Sequence, residues 1–408
     1  MAVDTPFDQR LAACRRRLEE AAADLAVCFP SPNLTYLTGF EESPSERHLL
    51  LFVPREGMDA EPTLVAPTMY ESQLAALPPS TLELRLWDDE EGPLGTVART
   101  LEDMDVLEDM DVDVRTHASQ DADSSANREP TVLVDDRMWA TFTQDLRTLL
   151  PDAEFGLASA VLEPLRIRKD NLELETLRRA AEIADRVSLE VRERGDELVG
   201  WTEAELAAEI ERLLAEYGGE EPAFETIAAS GPNGARPHHH SGDREIERGD
   251  PIVLDFGAFV AADLEGGTAR YPGDQTRTIV VGEPPAEYER VHEVVAEAQQ
   301  AAVEAVEPGV AAEDVDRAAR EVIEDAGYGD AFVHRTGHGV GLEVHEAPYI
   351  VDGNDRELEP GMVFSVEPGI YLGDRFGVRI EDLVVVTEDG AARLNDSPRG
   401  WETGAGSR

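Results

Sequence analysis

Three features of the sequence predict an α+β fold in two parts, with a smaller α/β domain in front of a larger catalytic domain. Up to about residue 160, short apolar runs alternate with clusters of Pro, Gly and acidic residues, as strands and turns do. From about 163 onward there are long helical patterns at 171–194, 202–217, 286–306 and 312–326. Between those helices lie strand-like runs, each with a carboxylate or imidazole in it or beside it. The division expected is 1–160 and 163–400, joined by a connector at 162–169.

In the first part, residues 8–25 read as a helix with Leu11, Cys14, Leu18 and Leu25 on one stripe. Strands are expected at 25–29, 49–53, 63–66, 82–87 and 131–134. The sequence LEDMDV at 101–106 is repeated at once at 107–112. Two short copies make no solenoid, so a surface duplication is expected. The polar stretch 117–130 reads as a loop. In the second part, Leu177, Ala180, Ala184, Val187 and Val191 form the apolar stripe of the helix 171–194. Thr202 and Glu205 have the spacing of a capping box for the next helix. Strands are expected at 252–260, 276–281, 362–366 and 377–386, and Ala326-Gly327 should close the last helix.

Composition excludes several function classes. The 408 residues carry a net charge of −50, from 86 acidic and 36 basic residues. Such a chain repels nucleic acid and anionic membranes, which bind through Lys/Arg fields. Aromatics are only 6%, with no basic-aromatic stripe for stacking bases. No apolar run is long enough to span a bilayer, and the start lacks a secretory pattern. Cys14 and Cys28 are too few for a disulfide framework or a thiolate cage. A soluble cytoplasmic protein is expected. Lys169 is the only lysine among the 36 basic residues. Codon bias explains missing lysines but not 86 carboxylates, so the expected setting is a salty cytoplasm.

Five segments carry the chemistry: PIVLDFGAF around Asp255, YPGDQTRT around Asp274, HRTGHGVGLEVHE around His338, FSVEPGIY around Glu367 and GVRIEDLVV around Glu381. Carboxylates in apolar strands are costly unless paired or metal-bound, and no lysines match them. Oxygen and nitrogen ligands without sulfur favour manganese, with cobalt or zinc as alternatives. Asp255, Asp274, Glu367 and Glu381 balance two divalent ions, and a two-metal site activates water and polarises a carbonyl. Asp382 should face away from Glu381, Glu346 reads as a solvated neighbour, and His239 and His240 read as loop residues.

Taken in order, these segments resemble the pita-bread metallopeptidases, the family of aminopeptidase P, prolidase, methionine aminopeptidase and creatinase. SPNLTYLTGF at 31–40 and LLLFVP…PTLVAP at 49–67 resemble the N-terminal domain of the aminopeptidase P, prolidase and creatinase branch. The resemblance implies a creatinase-type N-terminal domain followed by a pita-bread catalytic domain. It implies metal ligation by Asp255, Asp274, His338, Glu367 and Glu381, with Asp274 and Glu381 bridging. It also implies substrate contacts from His238, His334 and His345, with Arg379 counted among the substrate-binding residues, catalytic roles for His238, His345 and Glu367, and a homodimer. Arg379 would steady a bridging carboxylate if the strand 377–386 is regular. Two departures stand out: the insertion AADLEGGT at 261–268, and Tyr349 where prolidases often have an arginine for the proline carboxylate.

The expected activity is cleavage of peptides with proline at the second position, by a Xaa-Pro aminopeptidase rather than a Xaa-Pro dipeptidase (prolidase), because Tyr349 removes a cation. A metal-free creatinase-like enzyme, a binding-only relative and a metal-dependent lyase are the remaining alternatives.

Overall fold

The computed structural model describes residues 5–77, 79–106, 129–264 and 267–404. It divides into two units, Met1–Arg166 with Leu264–Ala269, and Ile167–Asp263 with Arg270–Arg408. The segment read as a connector is helical as far as Arg166, so the division falls late within it.

In the first unit, Thr5 and Asp8 close a capping box at the start of α1 (Pro6–Glu20). The helix is shorter than its apolar stripe. Ala22 takes a positive φ of 53°, and Leu25 belongs instead to β1 (Leu25–Cys28). Then follow α2 (Pro32–Thr38), β2 (Leu50–Pro54), β3 (Thr63–Pro67), α3 (Glu71–Leu74), β4 (Glu83–Trp87) and α4 (Pro93–Asp103). The unit continues with β5 (Thr131–Val134), α5 (Ala140–Leu149), β6 (Glu154–Leu157) and α6 (Ser159–Arg166). The sheet order is β4-β3-β2-β1-β5-β6, parallel at its ends and antiparallel around β2.

The first LEDMDV copy is not a surface feature. Leu101, Met104 and Val106 are buried in the core with Val97, because helical spacing carries that stripe onto the sheet side. The second copy, and residues 117–128 of the polar stretch, lie outside the described residues.

The second unit begins with α7 (Asn171–Arg194), capped by Asp170 and Glu173, and α8 (Glu203–Glu216), capped by Thr202 and Glu205. Its strands and remaining helices are β7 (Ile227–Ser230), β8 (Pro251–Phe256), β9 (Phe259–Ala261), β10 (Arg270–Pro272), β11 (Gln275–Val280), α9 (Tyr288–Glu304) and α10 (Ala312–Asp325). They are followed by β12 (Gly337–Gly339), β13 (Glu346–Ile350), β14 (Val363–Val366), β15 (Gly369–Leu372), β16 (Phe376–Arg379), β17 (Asp382–Thr387) and β18 (Gly390–Arg393). The helix pair α7/α8 buries its apolar stripes with β8 and β11, and the pair α9/α10 does so with β14, β16 and β17.

Two expected strands are broken, and both breaks matter for the site. The run 252–260 divides at Gly257, where a Cβ would lie 1.7 Å from the Gly273 carbonyl oxygen. The run 377–386 divides at Ile380-Glu381, because β16 pairs with β15 while β17 pairs with β14 in a different sheet. Glu381 is therefore held at a change of sheet, not within a ladder. Among the described residues no helix is long and apolar enough to cross a membrane.

Candidate active site

Asp255 lies near the end of β8, opposite Thr276 of β11. Asp274 directly precedes β11, and His338 is the middle residue of β12. Glu367 follows β14, with its N–H donating to Thr336 O at 2.8 Å. Glu381 donates its N–H to Thr276 O at 3.1 Å. These residues line one cavity of about 560 Å³ together with His238, His334, His345 and Arg379. Every candidate site residue read from the sequence is thus on the same wall.

The carboxylates are crowded and buried. Asp274 is pushed well above the usual carboxylate range by burial and then by Asp255 and Glu367. Glu381 is raised in the same way, by burial and then by Asp274, Glu367 and Asp255. Glu367 is pushed up to about 7, chiefly by burial. His338 is driven down to about 3 by burial and the neighbouring His345, so its imidazole is neutral. Its Nδ1 meets Gly339 O at 3.3 Å, leaving the Nε2 lone pair to face Glu367 at 3.3 Å and Asp274 at 3.7 Å.

A neutral imidazole nitrogen facing two carboxyl groups is an arrangement that a cation between them would satisfy. Two further observations agree with a divalent ion there. Oδ1 of Asp255 is buried with no hydrogen-bond partner among the described residues. Ligand atoms of Asp274, His338 and Glu381 all lie within 4.8 Å of one another. The donor set is hard oxygen plus imidazole nitrogen, so the residues present fit such ions.

Arg379 sits differently from the sequence reading. With the strand broken at Glu381, its guanidinium pairs with Asp255 Oδ2 instead of steadying Glu381 directly. Its Nε donates to Thr276 Oγ1 at 3.0 Å, and Thr276 Oγ1 in turn donates to Glu381 Oε2 at 2.7 Å. Its Nη1 donates to the Tyr371 hydroxyl at 2.8 Å. That hydroxyl, already an acceptor, gives its proton to His334 Nε2 at 2.8 Å. His334 Nδ1–H then donates to Arg335 O at 2.7 Å. Burial holds His334 down to about 4, consistent with a neutral ring. Both of its nitrogens are engaged, so it offers the cavity a ring face and no free donor.

Two neighbours read as solvated or passive are neither. Glu346 is buried and ion-paired to Lys169 at 2.7 Å, because the chain before α7 passes behind the His345 turn. His239 lines the cavity and meets Glu203 at 2.7 Å. Glu203 is fully buried and also accepts from Ser230 N, Ser230 Oγ and Asn233 Nδ2 at 2.7–3.0 Å. It anchors both flanks of the loop that carries His238. Sequence reasoning missed Glu203, Thr276 and Tyr371. Only Thr276, opposite Asp255 on an apolar strand, left a readable trace.

Comparison with known proteins decides the family. The description "Metallopeptidase family M24" matches residues 175–388, and "Creatinase/Prolidase N-terminal domain" matches residues 10–168. The chain belongs to the M24 metallopeptidases. It is 40% identical over 400 residues to the probable dipeptidase PepE of Mycobacterium bovis, covering 96% of each chain. It is 46% identical over 246 residues to the Xaa-Pro dipeptidase of Pyrococcus furiosus, covering 60% of this chain and 68% of the relative. The crystal structure of dipeptidase PepE from Mycobacterium ulcerans superposes with a TM-score of 0.82 at 37% identity, covering 97% of both chains. The fold is therefore the pita-bread catalytic domain behind a creatinase-type domain. Each of these relatives bears a dipeptidase name, and that of Pyrococcus furiosus is a Xaa-Pro dipeptidase.

The crowded carboxylates give a pH prediction. Asp274, Glu367 and Glu381 hold protons more tightly in the folded protein than in the unfolded chain. Metal-free protein should therefore lose stability as pH rises from about 4, the ordinary carboxylate value. For Glu367 the loss is complete once pH passes about 7. Divalent ions remove this penalty. The gain in melting temperature on adding manganese should be small at pH 5 and larger at pH 8. Thermal melts showing a gain independent of pH would count against this account.

Proposed function

We propose that this protein is a prolidase, a metal-dependent hydrolase that cleaves Xaa-Pro dipeptides. The observation that carries the reading is a cation, Arg335, on the wall of the cavity that holds the carboxylate cluster. A dipeptidase must bind the free carboxylate of its proline, and a guanidinium does this with two parallel hydrogen bonds. Tyr349 does not supply the cation, but its ring lies 4.6 Å from the Arg335 guanidinium carbon. It thereby seats an arginine from the segment just before β12. Arg236, two residues before His238, is not among the lining residues.

Asp255, Asp274, His338, Glu367 and Glu381 would hold two divalent ions, manganese being favoured by carboxylate-rich ligation. Ions so held supply Lewis acidity, making water acidic enough to act as a nucleophile and polarising the scissile carbonyl. The chain's own groups do the rest. Glu367, whose carboxyl burial pushes up to about 7, carries a proton to the proline nitrogen, which leaves poorly until protonated. His345, exposed and edge-on to His338, donates to the developing oxyanion. His238 holds the peptide from the Glu203-anchored loop. Arg379, itself held by the Tyr371 hydroxyl, orients Asp255.

The test compares Ala-Pro with Ala-Pro-Ala at molar salt with manganese. The dipeptide should be cut much faster. Replacement of Arg335 with leucine should raise KM for Ala-Pro about tenfold or more, with a smaller change in kcat. Faster cleavage of the tripeptide would restore the aminopeptidase reading.

A further inference from the structure

The only lysine of this chain lies next to the active site without lining it. Lys169 directly precedes the cap of α7, and its side chain is completely buried. Its backbone is pinned, with the N–H donating to Gly361 O at 2.8 Å. Nζ donates to Glu346 Oε1 at 2.7 Å and to Ile167 O at 3.5 Å. Every other cation among the 36 Lys and Arg residues is arginine, so whatever removed lysine elsewhere left it here. A compact ammonium fits a closed space that a broad planar guanidinium does not.

Glu346 is the residue after His345. The turn between His338 and His345 is folded over its carboxylate, for a Cβ on Gly341 would sit 2.1 Å from Glu346 Oε1. The β12–β13 pairing slips between His338 and Gly339, which sets Gly339 opposite Glu346. That slip brings the His338 and His345 rings into an edge-on contact, 4.1 Å between centroids at 82°. The Lys169 ammonium thus neutralises the buried carboxylate around which this turn is folded.

We propose that Lys169 is a positioning residue. Its ammonium fixes Glu346, and Glu346 sets the place of His345 against the metal-ligand histidine. The proposal rests on the reading of His345 as the residue that meets the scissile carbonyl. A displacement of about 1 Å in such a group is enough to cost roughly a hundredfold in rate.

Removing Lys169 alone takes the ammonium from a buried carboxylate and risks unfolding, so the informative protein is the double variant Lys169→Met/Glu346→Gln. Both charges are then gone and stability should largely return. Expected results at molar salt are a kcat for Ala-Pro reduced about tenfold or more, with KM and manganese affinity by calorimetry within about twofold of the parent. The NMR signal of the His345 ring, assigned through His345→Asn, should move, while that of the exposed His240 stays. Return of full kcat together with stability would make the pair purely structural and overturn the proposal, as would an unmoved His345 signal. If the parent protein fails to cut Ala-Pro, the prolidase reading falls, and the His345 signal still decides the role of Lys169.

Discussion

Replacing Glu381 with alanine should abolish turnover of Ala-Pro and lower the number of divalent ions bound per chain. Glu381 is buried at the change of sheet between β16 and β17, with one carboxylate oxygen held by Thr276 and its ligand atoms close to Asp274 and His338. Loss of a group shared by the metal cluster removes several kcal/mol of transition-state stabilisation, which is about a thousandfold or more in kcat/KM. The same substitution has the opposite effect on the metal-free protein. Asp274, Glu367 and Asp255 all push the Glu381 carboxyl upward, so removing it relieves repulsion. Metal-free Glu381→Ala should then melt at or above metal-free parent protein, while manganese stabilises it far less. Full activity in this variant would sink the assignment of Glu381. Lost activity with unchanged metal content would show that Glu381 acts by some route other than ligation.

The second large effect is expected from salt. A net charge of −50 on 408 residues is a self-repelling surface at low ionic strength. Ion pairs such as those of Arg212 with Glu209 and Glu216 lie at the surface and return little net stability. There are too few cations to pair the excess of 50 carboxylates. Raising salt from about 0.1 M to 1 M shortens the screening length from about 10 Å to about 3 Å, which removes most repulsion between neighbouring surface acids. Far-UV circular dichroism should show helix loss in dilute buffer and recovery as salt rises, equally with sodium and potassium chloride. Equal stability at both ends of that range would refute salt adaptation.

Much of the candidate site was legible because its signals are local. Asp255, Asp274, His338, Glu367 and Glu381 each lie in or beside a strand-like run, and a polar group so placed has to be accounted for wherever the run packs. The helices at Asn171–Arg194 and Glu203–Glu216 were equally legible, since their caps and stripes are contained within a few residues. The insertion at 261–268 was visible as extra length, but not its grouping of Leu264–Ala269 with the first unit, where Thr268 N–H donates to Gly39 O at 2.8 Å. The substrate preference drawn from Tyr349 weighed the loss of one cation, and only the tertiary structure sets Arg335 against the Tyr349 ring on the cavity wall, where it supports the dipeptidase proposal instead.

The sequence by itself determined which side chains are available as ligands, the two-domain order and the major helices, because spacing, capping and charge-in-strand patterns are properties of short segments. The tertiary structure alone decided the partners. It placed Arg379 on Asp255, broke a strand so that Glu381 faces the cavity, and buried Glu346 against Lys169. It also turned the first LEDMDV copy into core. Burial and charge pairing are set by segments far apart in the chain, and a carboxylate's neighbours in space cannot be read from its neighbours in sequence.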